Sequence, residues 1–538
     1  MSALAPVLMI QGTTSGAGKS LLTAALCRIL VRRGIRVAPF KAQNMSNNAA
    51  VTVEGGEMGR AQALQAAAAR IPPELRMNPV LLKPLADTRS DVVILGRSAP
   101  ELGRIPWRER RPLLWPHVTS ALASLRRDFD LVMVEGAGSP AEINLRESDI
   151  VNMAVARHSG AAVLLVTDID RGGAFATLYG TWALLEAEDR ALLKGFILNR
   201  FRGDPALLDP APRLLEGKTG VPTLGIVPWM RHLLPEEDGG PRLQRDERAG
   251  TKRIGVVRFP HLSNADDIDP LRAEGSVEIT WVSHVRQLFG LDGVILPGSR
   301  NTLADLAWIQ EAGIGAGIIA LHRASVPILG ICGGYQMMGF RVRDPLGVEV
   351  GGEGVGLGIL PVETTLAREK ETVLSRAMVT DGDHALAPLA GTGVEGYEIH
   401  HGRTRLCSEE PAPLLPPDPG HRLPQEGTPP HPGQAGAPGG PEGTTSGREP
   451  CGPWLARAGQ PEAVLGHSVG SAWGCYLHGI LENPTIRRAW LAEVGVSADS
   501  SDAEPWTSRL DRELDRVADQ VEEGLDLPRI LELVGLTP

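Results

Sequence analysis

The stretch Pro6-Val7-Leu8-Met9-Ile10-Gln11-Gly12-Thr13-Thr14-Ser15-Gly16-Ala17-Gly18-Lys19-Ser20 decides the fold of the N-terminal half. An apolar run, Pro6–Ile10, enters a glycine-rich loop, and the apolar spacing of Leu21–Arg33 behind it predicts a helix. Strand, loop and helix in this order wrap backbone N–H groups around phosphate oxygens, and the helix N-terminus adds positive potential. Gly12, Thr13, Gly16 and Gly18 are the candidate loop contacts. Lys19 is placed to reach β- and γ-phosphates, and the Ser20 hydroxyl to ligate Mg²⁺. The strict spacing asks for glycine at position 13. Threonine stands there, and the glycine comes one residue earlier, at Gly12.

Working outward, short Val/Ile/Leu-rich runs alternate with helix-like stretches. The strand candidates are Val37–Phe40, Leu131–Val134, Ala162–Thr167 and Gly195–Leu198, and the helix candidates are Met58–Ala69, Val118–Arg127 and Leu178–Leu185. Continuous apolar strands between helices predict an α/β fold with a parallel sheet covered on both faces. Such sheets hold ligands at the carboxyl ends of their strands. Glu135 stands at one such end, in Val134-Glu135-Gly136-Ala137-Gly138, and is the candidate to share the metal with Ser20. Lys41, just after the second strand, is a candidate to neutralise a transferred phosphoryl group. Glu57 is a further candidate metal ligand, and Asn199 a further nucleotide contact. Asp168 and Asp170, before Arg171-Gly172-Gly173, read equally as substrate contacts or as turn caps.

A polar stretch, Pro235–Lys252, reads as a linker. Beyond it a second strand–helix series opens with Arg253–Val257, Gly293–Leu296 and Pro327–Ile331. The last of these runs into Gly330-Ile331-Cys332-Gly333-Gly334-Tyr335-Gln336, a strand turning sharply into a helix. That turn exposes one side chain in a strained position, and its glycines permit the close backbone approach. Cys332 is the candidate nucleophile, and a helix N-terminus favours the thiolate. The Gly333 N–H, with Gly298 in Pro297-Gly298-Ser299, is the candidate oxyanion hole. The partner base must be a histidine. His478, in Gly474-Cys475-Tyr476-Leu477-His478-Gly479, is preferred over His400 and His401.

The bulk properties narrow the class. A chain of 538 residues is long enough for two or three domains. Its net charge of −10 gives no electrostatic support for nucleic-acid binding, so anionic ligands need a local site. Five scattered cysteines form neither a disulfide framework nor a zinc pattern, which favours a reducing cytoplasm. No run approaches the roughly 18–20 apolar residues that span a bilayer, so no membrane partner is expected. From about 410 to 455 the chain is dense in Pro and Gly and reads as a loosely packed insertion. The tail carries Leu510, Leu514, Val517 and Val521 at helical spacing and predicts a helix on the second domain. The division expected is therefore 1–240 phosphate-binding, 241–252 linker, 253–495 cysteine-bearing domain and 496–538 helical tail. Oligomeric state has no signature in the sequence.

Longer stretches carry a resemblance. Lys41-Ala42-Gln43-Asn44-Met45-Ser46-Asn47-Asn48, Gly59-Arg60-Ala61-Gln62-Ala63-Leu64-Gln65 and Met77-Asn78-Pro79-Val80-Leu81-Leu82-Lys83-Pro84 look like the cobyric acid synthases. So do Val134–Leu145, Asp168–Gly173 and Gly396–His400. The phosphate loop also resembles that of dethiobiotin synthetase. The resemblance covers nearly all of the chain outside the insertion. It implies a P-loop domain binding ATP and adenosylcobyrinic acid a,c-diamide, fused to a triad-type glutamine amidotransferase. It further implies that Cys332 and His478 release ammonia, and that the b, d, e and g carboxylates are amidated to give adenosylcobyric acid. Two rivals stay open: a cobyrinic acid a,c-diamide synthase, and a partitioning-type P-loop ATPase without glutaminase chemistry. Triad amidotransferases usually carry a Glu two residues after the histidine. Position 480 is Ile here, so what orients His478 is left open.

Overall fold

The computed structural model describes residues 4–86, 89–235, 251–407, 451–497 and 504–537. Most of the expected linker and most of the Pro/Gly-rich insertion lie outside the described residues.

The first half is built on a six-stranded, wholly parallel sheet. Its spatial order is Thr223–Pro228, Leu193–Phe201, Ala162–Asp168, Val7–Gly12, Leu131–Glu135 and Val37–Phe40. Val7–Gly12 runs through the middle, buried at every position, because helices cover both of its faces. Helix α1 (Lys19–Arg32) starts where the phosphate loop ends, and helix α2 (Arg60–Ala68) packs beside it. The expected helix at Met58–Ala69 begins only at Arg60, because Glu57–Gly59 pairs as a strand with Ala49–Val51. That hairpin, and a small sheet of Gln43–Met45, Val80–Ala86, Arg89–Ile94 and Arg97–Ser98, carry the motif stretches of the first half toward the second.

The second half forms an eleven-stranded sheet. One side is parallel, in the order Val277–Val282, Lys252–Val257, Gly293–Leu296, Ile328–Ile331 and Ala472–Cys475. The other side turns antiparallel through Gln460–Val469, Cys451–Arg457 and the long pair Val362–Val379 and Gly393–Leu406. This extension did not stand out in the sequence, since its strands alternate in burial and carry charge on the open face.

The C-terminal helix Trp506–Glu523 corrects one expectation. It packs on the first half, not the second. Leu514, Val517, Ala518 and Val521 join Leu22, Leu26 and Ile29 of α1 in one core. The reason is charge as much as apolar surface. Arg28 and Arg32 of α1 face Asp511 at 2.6 Å and Asp519 at 2.7 Å, acids spaced along one face of the partner helix. Among the described residues no single helix is long and apolar enough to cross a membrane.

Candidate active sites

The phosphate loop takes the shape its glycines allow. Gly16 and Gly18 sit at φ 71° and 98°, in the left-handed region that disfavours any side chain. A Cβ on Gly12 would lie 2.9 Å from the Thr14 carbonyl oxygen and 3.1 Å from Lys19 Nζ. Glycine at position 12 therefore lets the lysine fold back over the loop, and threonine at 13 is tolerated. Thr13 instead anchors the loop to the next strand, its N–H donating to Val166 O at 2.9 Å. Asn199 Nδ2 donates to Ala17 O at 2.9 Å, so this residue braces the loop from beneath.

Lys19 Nζ donates to Thr14 O at 3.0 Å and to Gly138 O at 3.2 Å, which ties the loop to the segment after Glu135. Glu135 is fully buried and gathers the expected partners: Ser20 Oγ donates to its Oε1 at 2.8 Å, and Lys41 Nζ lies 2.9 Å from the same oxygen. Gln65 of α2 donates to the other oxygen. A hydroxyl and a carboxylate side by side at a phosphate loop are hard oxygen donors of the kind that suits Mg²⁺. Beside them opens a cavity of about 480 Å³, with Ser15, Gly16, Lys19 and Lys41 on one wall and Trp107, Leu145, Ile150 and Val151 among the apolar lining. Its size suits a sizeable ligand. Asp168 and Asp170 are held by arginines: Asp168 by Arg200 at 2.8 Å, Asp170 by Arg202 at 3.0 Å.

Glu57 does not join this group. Lys83 and Lys370 take its two oxygens in a buried cluster against the second half. Burial opposes its ionisation, but the two ammonium groups hold its carboxyl well below the usual range. Glu57, expected as a further metal ligand, thus serves here as the counter-ion of Lys83 and Lys370, apart from Ser20 and Glu135.

In the second half, register builds the site. Ile328–Ile331 and Ala472–Cys475 lie parallel with Ile331 opposite Cys475. Both strands therefore end at the same edge, and the residues just beyond them, Cys332 and His478, meet there. Cys332 holds the strained φ of 52° with ψ −109°. The turn is packed too tightly for side chains. A Cβ on Gly334 would lie 1.9 Å from Leu296 O, and one on Gly333 would lie 2.8 Å from Ser299 N. Gly298 runs beside the base, its notional Cβ 3.2 Å from His478 Cε1. The two backbone segments named for the oxyanion hole thus flank the Cys332–His478 pair.

The acid that sequence reasoning missed is Asp267. Its Oδ2 lies 2.7 Å from His478 Nδ1, and its Oδ1 accepts from the Gly479 N–H at 2.8 Å. Burial disfavours a charged ring. Asp267 and the Cys332 sulfur outweigh that and push the His478 pKa up to about 10. His478 is accordingly held as the imidazolium beside the Cys332 sulfur. Asp267 comes from the turn Ala265–Ile268, in a stretch with three aspartates, Asp266, Asp267 and Asp269. That clustering was its one visible signal. His400 and His401 also line the small pocket at Cys332 but are otherwise engaged. His400 Nε2 lies 3.1 Å from Glu398 and its Nδ1 3.0 Å from Gly402 O. His401 Nδ1 lies 3.0 Å from Ala367 O, and burial pushes its pKa down to about 4.

The two sites share a boundary. Asn47 and Lys83 of the first half line the Cys332 pocket. Asn264 Nδ2 donates to Ala49 O at 2.9 Å, and Arg300 pairs with Asp91 at 2.8 Å. Gln43–Met45 opens onto the large cavity, and Asn47 follows it onto the Cys332 pocket.

Residues 8–239 match the model of the CobQ/CobB/MinD/ParA nucleotide binding domain, and residues 253–415 that of the CobB/CobQ-like glutamine amidotransferase domain. Among known proteins, the chain is 48% identical to a cobyric acid synthase of Deinococcus radiodurans, over 98% of this chain and 100% of that one. It is 42% identical to one of a Polaromonas species, over 99% of each chain. It is 45% identical to one of Paracidovorax citrulli, over 97% of this chain and 98% of that one. Two sites on separate sheets, joined across one boundary, thus coincide with full-length similarity: the chain belongs to the cobyric acid synthase family.

Proposed function

We propose that the chain converts adenosylcobyrinic acid a,c-diamide to adenosylcobyric acid, amidating the b, d, e and g carboxylates with nitrogen from glutamine. The enzyme class, a glutamine-dependent amidoligase of cobalamin biosynthesis that uses ATP, follows from family membership. The finer reading rests on one observation above all: a cysteine, a histidine and an aspartate converge on one strand edge, on the same chain as a phosphate loop. Residues 1–240 are assigned the ligase chemistry and 253–495 the glutaminase, with 496–538 a helical tail. That pairing favours this reading over a partitioning ATPase. The named relatives favour it over the a,c-diamide synthase.

In the glutaminase, the Cys332 thiolate attacks the glutamine amide carbon. Backbone N–H groups at Gly333 and Gly298 receive the developing oxyanion. His478, held by Asp267, gives its proton to the departing ammonia. Water then hydrolyses the thioester to glutamate. In the ligase, the loop from Gly12 to Ser20 holds the nucleotide's phosphates while a corrinoid carboxylate attacks the γ-phosphorus, releasing ADP and leaving an acyl phosphate. Lys19 and Lys41 offset the charge on the transferred group. Ser20 and Glu135 would hold Mg²⁺, which supplies further charge neutralisation there. Ammonia displaces phosphate from the acyl carbon. Free ammonia in water would largely be protonated, so the boundary segment 43–59 is the proposed shelter for its transfer.

Hydroxylamine tests the acyl phosphate. With corrinoid, ATP and no glutamine, it should intercept the intermediate as a hydroxamate, with ADP and phosphate formed in step. Formation of AMP, or ATP consumption without hydroxamate, would overturn the proposed chemistry.

A further inference from the structure

Helix α2 belongs to the phosphate-binding half, yet its first residue reaches into the glutaminase. Arg60 Nε lies 2.6 Å from Asp266 Oδ2, and its Nη2 donates to Glu482 Oε1 at 3.1 Å. Asp266 directly precedes Asp267, the partner of His478. Glu482 closes the turn that opens at Gly479, its N–H donating to Gly479 O at 2.9 Å. The guanidinium also stands 5.9 Å from the centroid of the Tyr397 ring, and that ring stacks on His478 at 5.2 Å. Arg60 therefore touches both chain segments that carry the His478–Asp267 pair, and the ring packed against it.

The charges explain why a cation is needed there. Asp266 and Asp267 face His478 from one turn, Tyr397 from the neighbouring strand and Cys332 from the elbow, while Glu482 in the next turn faces Arg60 and the two aspartates. Beyond them Asp269 faces Asp266 and is paired with Arg272. Burial drives Asp266 and Glu482 toward their neutral forms, and Arg60 opposes this at both. A buried carboxylate deprived of its partner is costly, so the turn would rearrange. Five residues along α2, Gln65 holds Glu135 of the phosphate site. One short helix thus contacts the carboxylate of one site and the acid-bearing turn of the other.

We infer that Arg60 is a positioning residue for glutamine hydrolysis: supplied by the phosphate-binding half, it clamps Asp266 and Glu482 so that Asp267 and His478 are aligned only while α2 is docked. The inference rests on the reading that Cys332 and His478 hydrolyse glutamine. A structural tie alone would hold the two halves together without setting the rate of that step. The full-length chain is assayed for glutamate release from glutamine and for ATP-dependent corrinoid amidation from ammonium. Arg60→Ala should lower kcat for glutamate release by about 10²-fold, the scale of a small misplacement of a catalytic group. KM and ammonium-supported amidation should change little, and Arg60→Lys should recover part of kcat. Wild-type kcat in Arg60→Ala overturns the inference. If Arg60→Ala loses both activities, Asp266→Asn is measured instead. A fall in kcat alone supports the inference, and an unchanged kcat or loss of both activities overturns it. A wild-type chain that releases no glutamate would remove the underlying reading itself, an outcome distinct from all of these.

Discussion

Cys332→Ser should abolish glutamine-supported amidation and spare amidation supported by added ammonium salt. The thiol is the one group at the elbow able to form the acyl intermediate, and its neighbours are arranged around it: the strained φ of 52°, the flanking glycines and the adjacent His478. A serine keeps the shape and loses the stable anion, so the glutaminase falls on the order of 10⁴-fold or more, as when a nucleophile of a catalytic triad is removed. The ligase site lies on the other sheet and does not use the sulfur. Product is measured from each nitrogen source in parallel. Loss of both activities would mean that Cys332 holds the fold and performs no chemistry.

Asp267→Asn should produce the second large effect. The amide preserves the shape but can present N–H to the ring, favouring the wrong tautomer, so glutamate release falls about 10²–10⁴-fold. The pH dependence gives a sharper signature. Burial lowers the His478 pKa, while the Asp267 carboxylate, with the Cys332 sulfur, raises it to about 10. Removing the carboxylate charge lowers the pKa, so the imidazolium loses its proton at lower pH. The proton needed by the leaving ammonia then disappears sooner, and the alkaline limb of the kcat/KM profile moves down in pH. An unshifted limb would show that Asp267 does not control the histidine.

What could be read in the sequence was what is contiguous in the chain. The phosphate loop and the cysteine elbow are each a strand, a glycine-rich turn and a helix written in one short stretch, so local spacing alone exposed them. Glu135 and Lys41 followed because strand ends in a parallel sheet converge on one edge, and the structure brings Lys41 and Ser20 to the same Glu135 oxygen. Asp267 was hidden because it lies 211 residues from His478 and because the expected position holds Ile480. That isoleucine is fully buried in the apolar core, where an acid would be unpaired, so the orienting carboxylate arrives from another element. The surroundings of Glu57 were hidden for a related reason: its partners Lys83 and Lys370 are distant in the chain. The C-terminal helix misled because an apolar stripe fits any apolar face. Its apolar stripe fits α1, with acids facing Arg28 and Arg32 beside it, and that match is visible only once α1 is in place.

The central claim is that one chain moves nitrogen from glutamine, freed at Cys332, to a corrinoid activated at the phosphate loop. Its most direct test supplies glutamine labelled with ¹⁵N at the amide, together with ATP, the a,c-diamide corrinoid and excess unlabelled ammonium, and weighs the corrinoid by mass spectrometry. The account expects ¹⁵N in the new carboxamides despite the unlabelled pool, and complete dependence of that label on Cys332. A corrinoid amidated with unlabelled nitrogen alone, or not amidated at all, would contradict it.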